Sequence, residues 1–187
     1  VSSRQVQVLE AAARVVARNG VRGLRVEVLA AEAGVSTALI YYHFKDRAGL
    51  LRRTLEFISE RADRYTGESV GAGADPRGEL EQRLLSELQD TPSVRENSTA
   101  WGELRASAIF EADLRAPLTE ATASWVRDTA EVVRRVSADL DAEEVAERLT
   151  ALVEGLSERW LSGSMTLERA RHLLCGAITA ELGAARG

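Results

Sequence analysis

The stretch Val26–Phe44, VEVLAAEAG followed by VSTALIYYHF, constrains the chain more than any other. Val26, Leu29, Ala30 and Ala33 recur at helical spacing, which predicts a short helix with one apolar face. Gly34 follows the last periodic residue, where a left-handed stop is wanted. Ser36 supplies an N-cap oxygen for a second helix over about Thr37 to His43. A helix that short is unstable alone, so its neighbours must hold it. Leu39, Ile40 and Phe44 fall at inward spacings, and the outer face carries Thr37, Tyr41, Tyr42 and His43. This is the layout of a helix-turn-helix, whose second helix enters the DNA major groove. A plain corner inside a helical bundle shares the layout, so the flanking charge has to separate the two.

From Val1 to Arg53 the chain carries nine basic residues (Arg4, Arg14, Arg18, Arg22, Arg25, Lys45, Arg47, Arg52 and Arg53) against four acids (Glu10, Glu27, Glu32 and Asp46). That segment is therefore +5 in a chain of net charge −5, which leaves −10 on the remainder. A cationic front on an acidic body is the footprint of a DNA reader that keeps most of its surface away from phosphate. Within the short helix, Thr37, Tyr42 and His43 are the candidates for the groove, and Tyr41 either packs or touches phosphate through its hydroxyl. Lys45 precedes Asp46, the cap of the next helix, so its ammonium and that helix's free amides can hold a phosphate together.

Taken in order, GVRGLRVEVLAAEAGVSTALIYYHFKDRAGLL resembles the DNA-binding segment of the TetR/AcrR family of transcriptional regulators. The matching pieces are the Ala30–Gly34 helix end, Gly34-Val35-Ser36, and Leu39-Ile40-Tyr41-Tyr42-His43-Phe44-Lys45 followed by Leu50. The resemblance covers about the first quarter of the chain. It implies DNA contacts at Thr37, Tyr41, Tyr42, His43 and Lys45, beside the cap Ser36. Arg25 is a departure: the family usually has a Thr there, capping the second helix and touching phosphate. Arginine still reaches phosphate, but the cap has to come from elsewhere or be absent. Gly49, early in the following helix, is a milder oddity.

The rest of the chain reads as helices. It is 45% hydrophobic, with short β-branched runs and three prolines at positions where helices can begin. Helix signals fall at about Arg4–Asn19, with Val8, Leu9, Ala12, Val15 and Val16 inward, and at Arg47–Tyr65, with Leu50, Leu51, Leu55 and Ile58 inward. Thr66–Pro76 reads as a glycine-rich loop without a phosphate-binding ending. Asp75-Pro76 and Thr91-Pro92 start two helices, one to about Gln89 and one to about Ala112. The second carries Trp101, Leu104, Ala108, Ile109 and Phe110. A further helix follows over about Leu118–Ala138 with Trp125. Asp141 with Glu144, and then Thr166, open the last two helices. Large rings beside small residues can line a pocket, so Trp101, Phe110 and Trp125, with Arg105, Glu103 and Glu111 nearby, are the candidate ligand residues. Ordinary core packing is the competing account of the rings.

Leu149, Leu152, Val153, Leu156 and Trp160, then Leu167, Ala170, Leu174, Ala177 and Ile178, form stripes on the last two helices that can pair with a second copy. The resemblance implies a four-helix dimer interface there and a small-molecule pocket among the middle helices. Purely internal packing is the alternative for the stripes. The lone Cys175 lies in an apolar helical pattern and reads as a small core residue, compatible with a reducing cytoplasm. No apolar run reaches the ~18 residues that span a bilayer.

The expected fold is all-α, with about nine helices: a DNA-binding domain over residues 1–46 and a ligand-binding and dimerisation bundle over residues 47–187. The expected function is a homodimeric transcriptional regulator, a repressor released from a palindromic operator by a small-molecule effector, acting in the cytoplasm. A helical small-molecule-binding protein without operator binding is the alternative, supported by Arg25. Two histidines and one cysteine at distant positions give no metal-ligand or nucleophile spacing, so neither an enzyme nor a cofactor is expected. The effector, the operator and the regulated genes are not written in the sequence.

Overall fold

A computed structural model of the chain describes residues 3–68 and 75–183. Among the described residues there are nine α-helices and no strand: α1 Ser3–Asn19, α2 Val26–Ala33, α3 Thr37–Phe44, α4 Arg47–Glu68, α5 Pro76–Ser86, α6 Pro92–Ala108, α7 Arg115–Val136, α8 Ala142–Leu161 and α9 Leu167–Leu182. Single 3₁₀ turns at Val21–Gly23 and Ala112–Leu114 precede α2 and α7. The expected all-helical architecture is what forms.

The helix starts are chemical. Ser36 accepts from the Leu39 amide at 3.2 Å, Asp46 from Gly49 at 2.7 Å and Asp75 from Gly78 at 2.6 Å. Thr91 does the same for Val94, Asp141 for Glu144 and Thr166 for Arg169. Each bond satisfies one amide that the helix ladder leaves open. At the start of α2, Arg25 makes no side-chain cap, so the missing threonine is not replaced.

Some expectations shift. The loop expected from Thr66 begins later, because α4 runs on through Glu68; its stretch 69–74 lies outside the described residues. Helix α6 stops at Ala108 rather than near Ala112. Ile109 and Phe110 therefore sit in a turn, 67% and 80% exposed, instead of facing inward. Cys175 is exposed, not a core residue. The α9 stripe is Ala170, Leu174 and Ile178, a four-residue repeat that turns position 175 away.

The chain packs as two compact units. The first takes residues up to Arg61 with Glu96–Ala121; the second takes Ala62–Arg95 and the chain from Thr122 onward. In the first unit, α1 supplies Val8, Leu9, Ala12, Val15 and Val16 to a core with Leu29, Ile40, Phe44, Leu50, Leu55, Ile58 and Leu104. Burying each large aliphatic side chain is worth about 1.5–3 kcal/mol. Short α2 and α3 draw their stability from this shared core. Asn97, buried in this core, is satisfied on both sides: it donates to the Ile58 carbonyl at 3.1 Å and accepts from Arg61 Nε at 2.7 Å. The second unit has its own core, built on Leu80, Leu84, Leu88, Val133, Leu149, Val153, Leu156, Trp160, Leu174 and Ile178.

Candidate nucleic-acid interface

The turn between α2 and α3 closes through backbone geometry. Gly34 stands at φ 63° and ψ 37°, the left-handed conformation glycine adopts without penalty. Its amide donates to Ala31 O at 3.3 Å and the Val35 amide to Ala30 O at 3.0 Å, the paired bonds of a Schellman stop. Gln7 of α1 donates to Ala33 O at 2.8 Å, occupying one more carbonyl at the helix end. Glu32 accepts from Arg14 at 2.9 Å and from Arg18 at 2.5 Å, which ties α2 to α1. Those two hydrogen bonds hold the Glu32 carboxyl below the usual carboxylate range.

On α3, Ile40 and Phe44 are buried, while Tyr41 is 53% exposed and Tyr42 81%. Ser36 and Thr37 are exposed as well. His43 is half-buried, edge-on to Tyr42 with ring centroids 5.1 Å apart and to Phe44 at 6.2 Å. The helix thus presents two large hydrogen-bonding rings to solvent and keeps its aliphatic face inside.

The exit from α3 is a γ-turn. Lys45 sits at φ 66° and ψ −59°, and the Asp46 amide donates back to Phe44 O at 2.8 Å. Among the described residues Lys45 is the non-glycine with positive φ, a conformation costing about 1–3 kcal/mol and characteristic of functional sites. The same turn explains Gly49: a Cβ there would lie 2.3 Å from Phe44 O. Asp46 then caps α4, whose first-turn amides of Arg47 and Ala48 precede the helix's own ladder.

The charge on this unit is less free than the residue count suggests. Arg14 and Arg18 are held by Glu32, Arg47 by Glu111, and Arg53 by Glu56. Arg22, Arg25 and Lys45 have no carboxylate partner among the described residues. Sequence reasoning counted all of these cations alike. The Arg53–Glu56 pair is local, but Arg14, Arg18 and Arg47 pair with acids 14 to 64 residues away, which no local pattern signals.

The candidate ligand residues fall apart. Trp101 packs on the first unit's core with the Arg105 guanidinium 5.5 Å from its ring centroid. Phe110 lines an open groove of about 390 Å³ in the same unit. Trp125 belongs to the second unit, where it lines a cavity of about 170 Å³ with Asp63, Thr66, Leu80, Arg83, Leu84, Asp128 and Thr129. Nothing in the sequence reading had marked Asp63 or Asp128; helical spacing from Thr66 and Trp125 is the signal that was there to use. Of the ten residues named for a dimer face, Leu149, Val153, Leu156, Trp160, Ala170, Leu174 and Ile178 are buried in the second unit's own core. Leu152, Leu167 and Ala177 are half-buried. No group of three or more His, Cys, Asp or Glu able to hold a metal occurs among the described residues, nor a helix long and apolar enough to cross a membrane.

Residues 8–54 match the family model described as bacterial regulatory proteins, tetR family, and residues 76–183 match the BetI-type transcriptional repressor C-terminal model. The transcriptional regulator BetI of Burkholderia thailandensis is 24% identical over 163 residues, which is 87% of this chain and 82% of that protein. TtgR of Pseudomonas putida is 29% identical over 174 residues, 84% of this chain and 80% of its own. Among solved structures, a putative TetR-family regulator from Rhodococcus sp. is 46% identical, covers 98% of this chain and 100% of its own, and superposes with a TM-score of 0.92. A putative regulator from Saccharomonospora viridis, solved in complex with choline, is 26% identical with a TM-score of 0.81, covering 93% and 94%. With both models matched in order and a helix-turn-helix in place, the chain belongs to the TetR family of DNA-binding transcriptional regulators.

Proposed function

We propose that this protein is a homodimeric repressor that reads a palindromic operator with α3 and leaves it when a small molecule binds the second unit. The observation that carries the DNA-reading part is the exposure of Tyr41 and Tyr42 on a short helix whose other face is locked into a core. Tyr42 and Thr37 meet base edges, Tyr41, Ser36 and His43 line the approach, and Lys45 and Arg25 take phosphate. Two-fold symmetry of the pair demands a roughly two-fold operator. By role, residues 1–46 read DNA and residues 47–187 hold the effector and the partner copy. The compact units divide elsewhere: Arg47–Arg61 and Glu96–Ala121 pack with the helix-turn-helix, so in this reading they brace it.

For the effector, the second unit's cavity combines two carboxylates, Asp63 and Asp128, with the Trp125 ring and one guanidinium, Arg83, whose charge Glu79 offsets at 2.9 Å. That lining suits a small organic cation, attracted by charge and by the ring face. The choline-bound relative from Saccharomonospora viridis supports ligand binding by this fold. Trp101, Arg105 and Phe110, in the first unit, are secondary candidates. Release needs the effector to favour a state that no longer fits the operator. For the partner copy, α8 and α9 expose Ala151, Gly155, Cys175 and Gly176, a small-residue surface edged by Leu152 and Ala177. The ten stripe residues then act mostly by backing that surface. The reading includes no catalytic step, since His43 lies edge-on between two rings and His172 and Cys175 are exposed at distant positions, and it places the protein in the cytoplasm as a regulator of DNA.

The test is fluorescence anisotropy against DNA from upstream of the protein's own gene. Tyr42→Ala and Lys45→Ala both weaken binding, and Lys45→Ala also lowers the salt slope by about one unit. Unchanged affinity in both variants removes α3 as the reading helix.

A further inference from the structure

Val21 is where three distant stretches of the first unit meet. Its amide donates to Glu103 Oε2 at 3.4 Å, and its carbonyl accepts from Arg47 Nη2 at 3.1 Å. The Arg47 guanidinium continues to Glu111, with Nη1 at 2.6 Å from Oε2 and Nη2 at 3.3 Å from Oε1. This is the two-pronged pairing that fixes orientation as well as distance. Gly20 belongs to the same arrangement. It stands at φ 70°, and a Cβ on it would lie 2.8 Å from Glu103 Oε2, so the bare backbone is what lets that carboxylate reach Val21.

The placement of these groups along the chain matters. Val21 precedes α2, and Arg47 follows α3 by one γ-turn, so the Arg47–Val21 bond joins the two ends of the helix-turn-helix. Glu103 and Glu111, from α6 and the turn after it, grip that junction from outside. We propose that Arg47, Glu111 and Glu103 are positioning residues for operator binding: they form a clasp that closes the helix-turn-helix on itself and sets the pose of α3, and Arg47 works there instead of on a phosphate.

The pair is about half exposed, 47% for Arg47 and 31% for Glu111, so it adds little to global stability, which rests on the surrounding core. Its contribution is orientation. A reading helix held by one short turn tolerates little misplacement before several base contacts are lost together.

The clasp rests on α3 being the reading helix, so Tyr42→Ala is measured in parallel. The experiment is operator anisotropy over a salt series, with melting temperatures, for Arg47→Ala, Arg47→Lys, Glu111→Gln and the Arg47→Ala/Glu111→Gln double variant. Glu111→Gln weakens operator binding about tenfold with the melting temperature and salt slope kept. Arg47→Ala weakens it with the slope kept, Arg47→Lys does not restore it because a lysine cannot make the fork, and the double variant is no worse than the poorer single one. Two results overturn the proposal. One is a Glu111→Gln protein that binds as well as or better than the original. The other is an Arg47→Ala slope lower by about one unit with Arg47→Lys at full affinity, which makes Arg47 a phosphate contact. If Tyr42→Ala weakens binding and Glu111→Gln does not, the clasp alone fails. If neither does, the α3 reading fails first.

Discussion

Glu32 in the first unit and Glu87 in the second are half-buried carboxylates whose protons are held in opposite ways. In the first, Glu32 sits between Arg14 and Arg18 and is held ionised by them, and Glu111 is gripped by Arg47. In the second, removal from solvent pushes the Glu87 carboxyl up to about 7, with Asp63 adding to the rise; the Tyr65 hydroxyl, donating at 2.6 Å, works the other way. The second unit has ion pairs elsewhere, as between Arg148 and Glu181 at 2.7 Å. Residue type therefore does not decide the difference. What decides it is whether a guanidinium reaches the carboxylate before water is lost. Salt therefore acts on the Glu32 pairs, and pH on Glu87.

Glycine replacement sharpens the contrast most. Gly49→Ala drives a Cβ against the Phe44 carbonyl, a backbone atom that cannot swing away. It is expected to cost about 2–3 kcal/mol and to weaken operator binding, because the γ-turn that aims α3 must open. Gly67→Ala, near the end of α4, meets nothing within 4 Å. It is expected to leave the melting temperature of the chain unchanged or raise it, by up to about 1 kcal/mol of helix propensity. Thermal melts of the two variants side by side check the pair.

The protonation contrast comes next. A carboxyl at about 7 in the fold against an ordinary 4.5 holds its proton more tightly when folded. Its contribution is complete below about pH 4.5 and is lost as pH rises through 7. The original protein should therefore lose about 1–3 kcal/mol relative to Glu87→Gln between about pH 5 and pH 8. Parallel denaturation curves for the two, drawn across that range, would show no divergence if Glu87 were solvated. The smallest effect belongs to Glu32→Gln: a slight fall in melting temperature at low ionic strength that vanishes near about 1 M salt, where such pairs are screened.

Much of the fold was legible because its signals are local. Ser36, Asp46, Asp75, Thr91, Asp141 and Thr166 each cap an amide three residues on, and Gly34 stops α2, so each start and stop is written within one turn of chain. The exposed faces of α3 followed from spacing for the same reason. Ile109 and Phe110 were misplaced because the end of α6 carries no strong local stop, and the helix was expected to run about four residues further. Cys175 was misplaced because an alanine- and leucine-rich helix reads as apolar on more than one side. The buried stripe of α8 and α9 was recognised, but a stripe does not say whether it faces its own chain or another.

Sequence alone determined the helical class, the helix-turn-helix and the side chains it presents, since these depend on bonds and spacings a few residues long. Tertiary structure decided which of Arg14, Arg18 and Arg47 find a carboxylate and how Val21, Arg47 and Glu111 come together. Those outcomes depend on groups up to 82 residues apart, and only the packed core brings such groups within hydrogen-bonding reach.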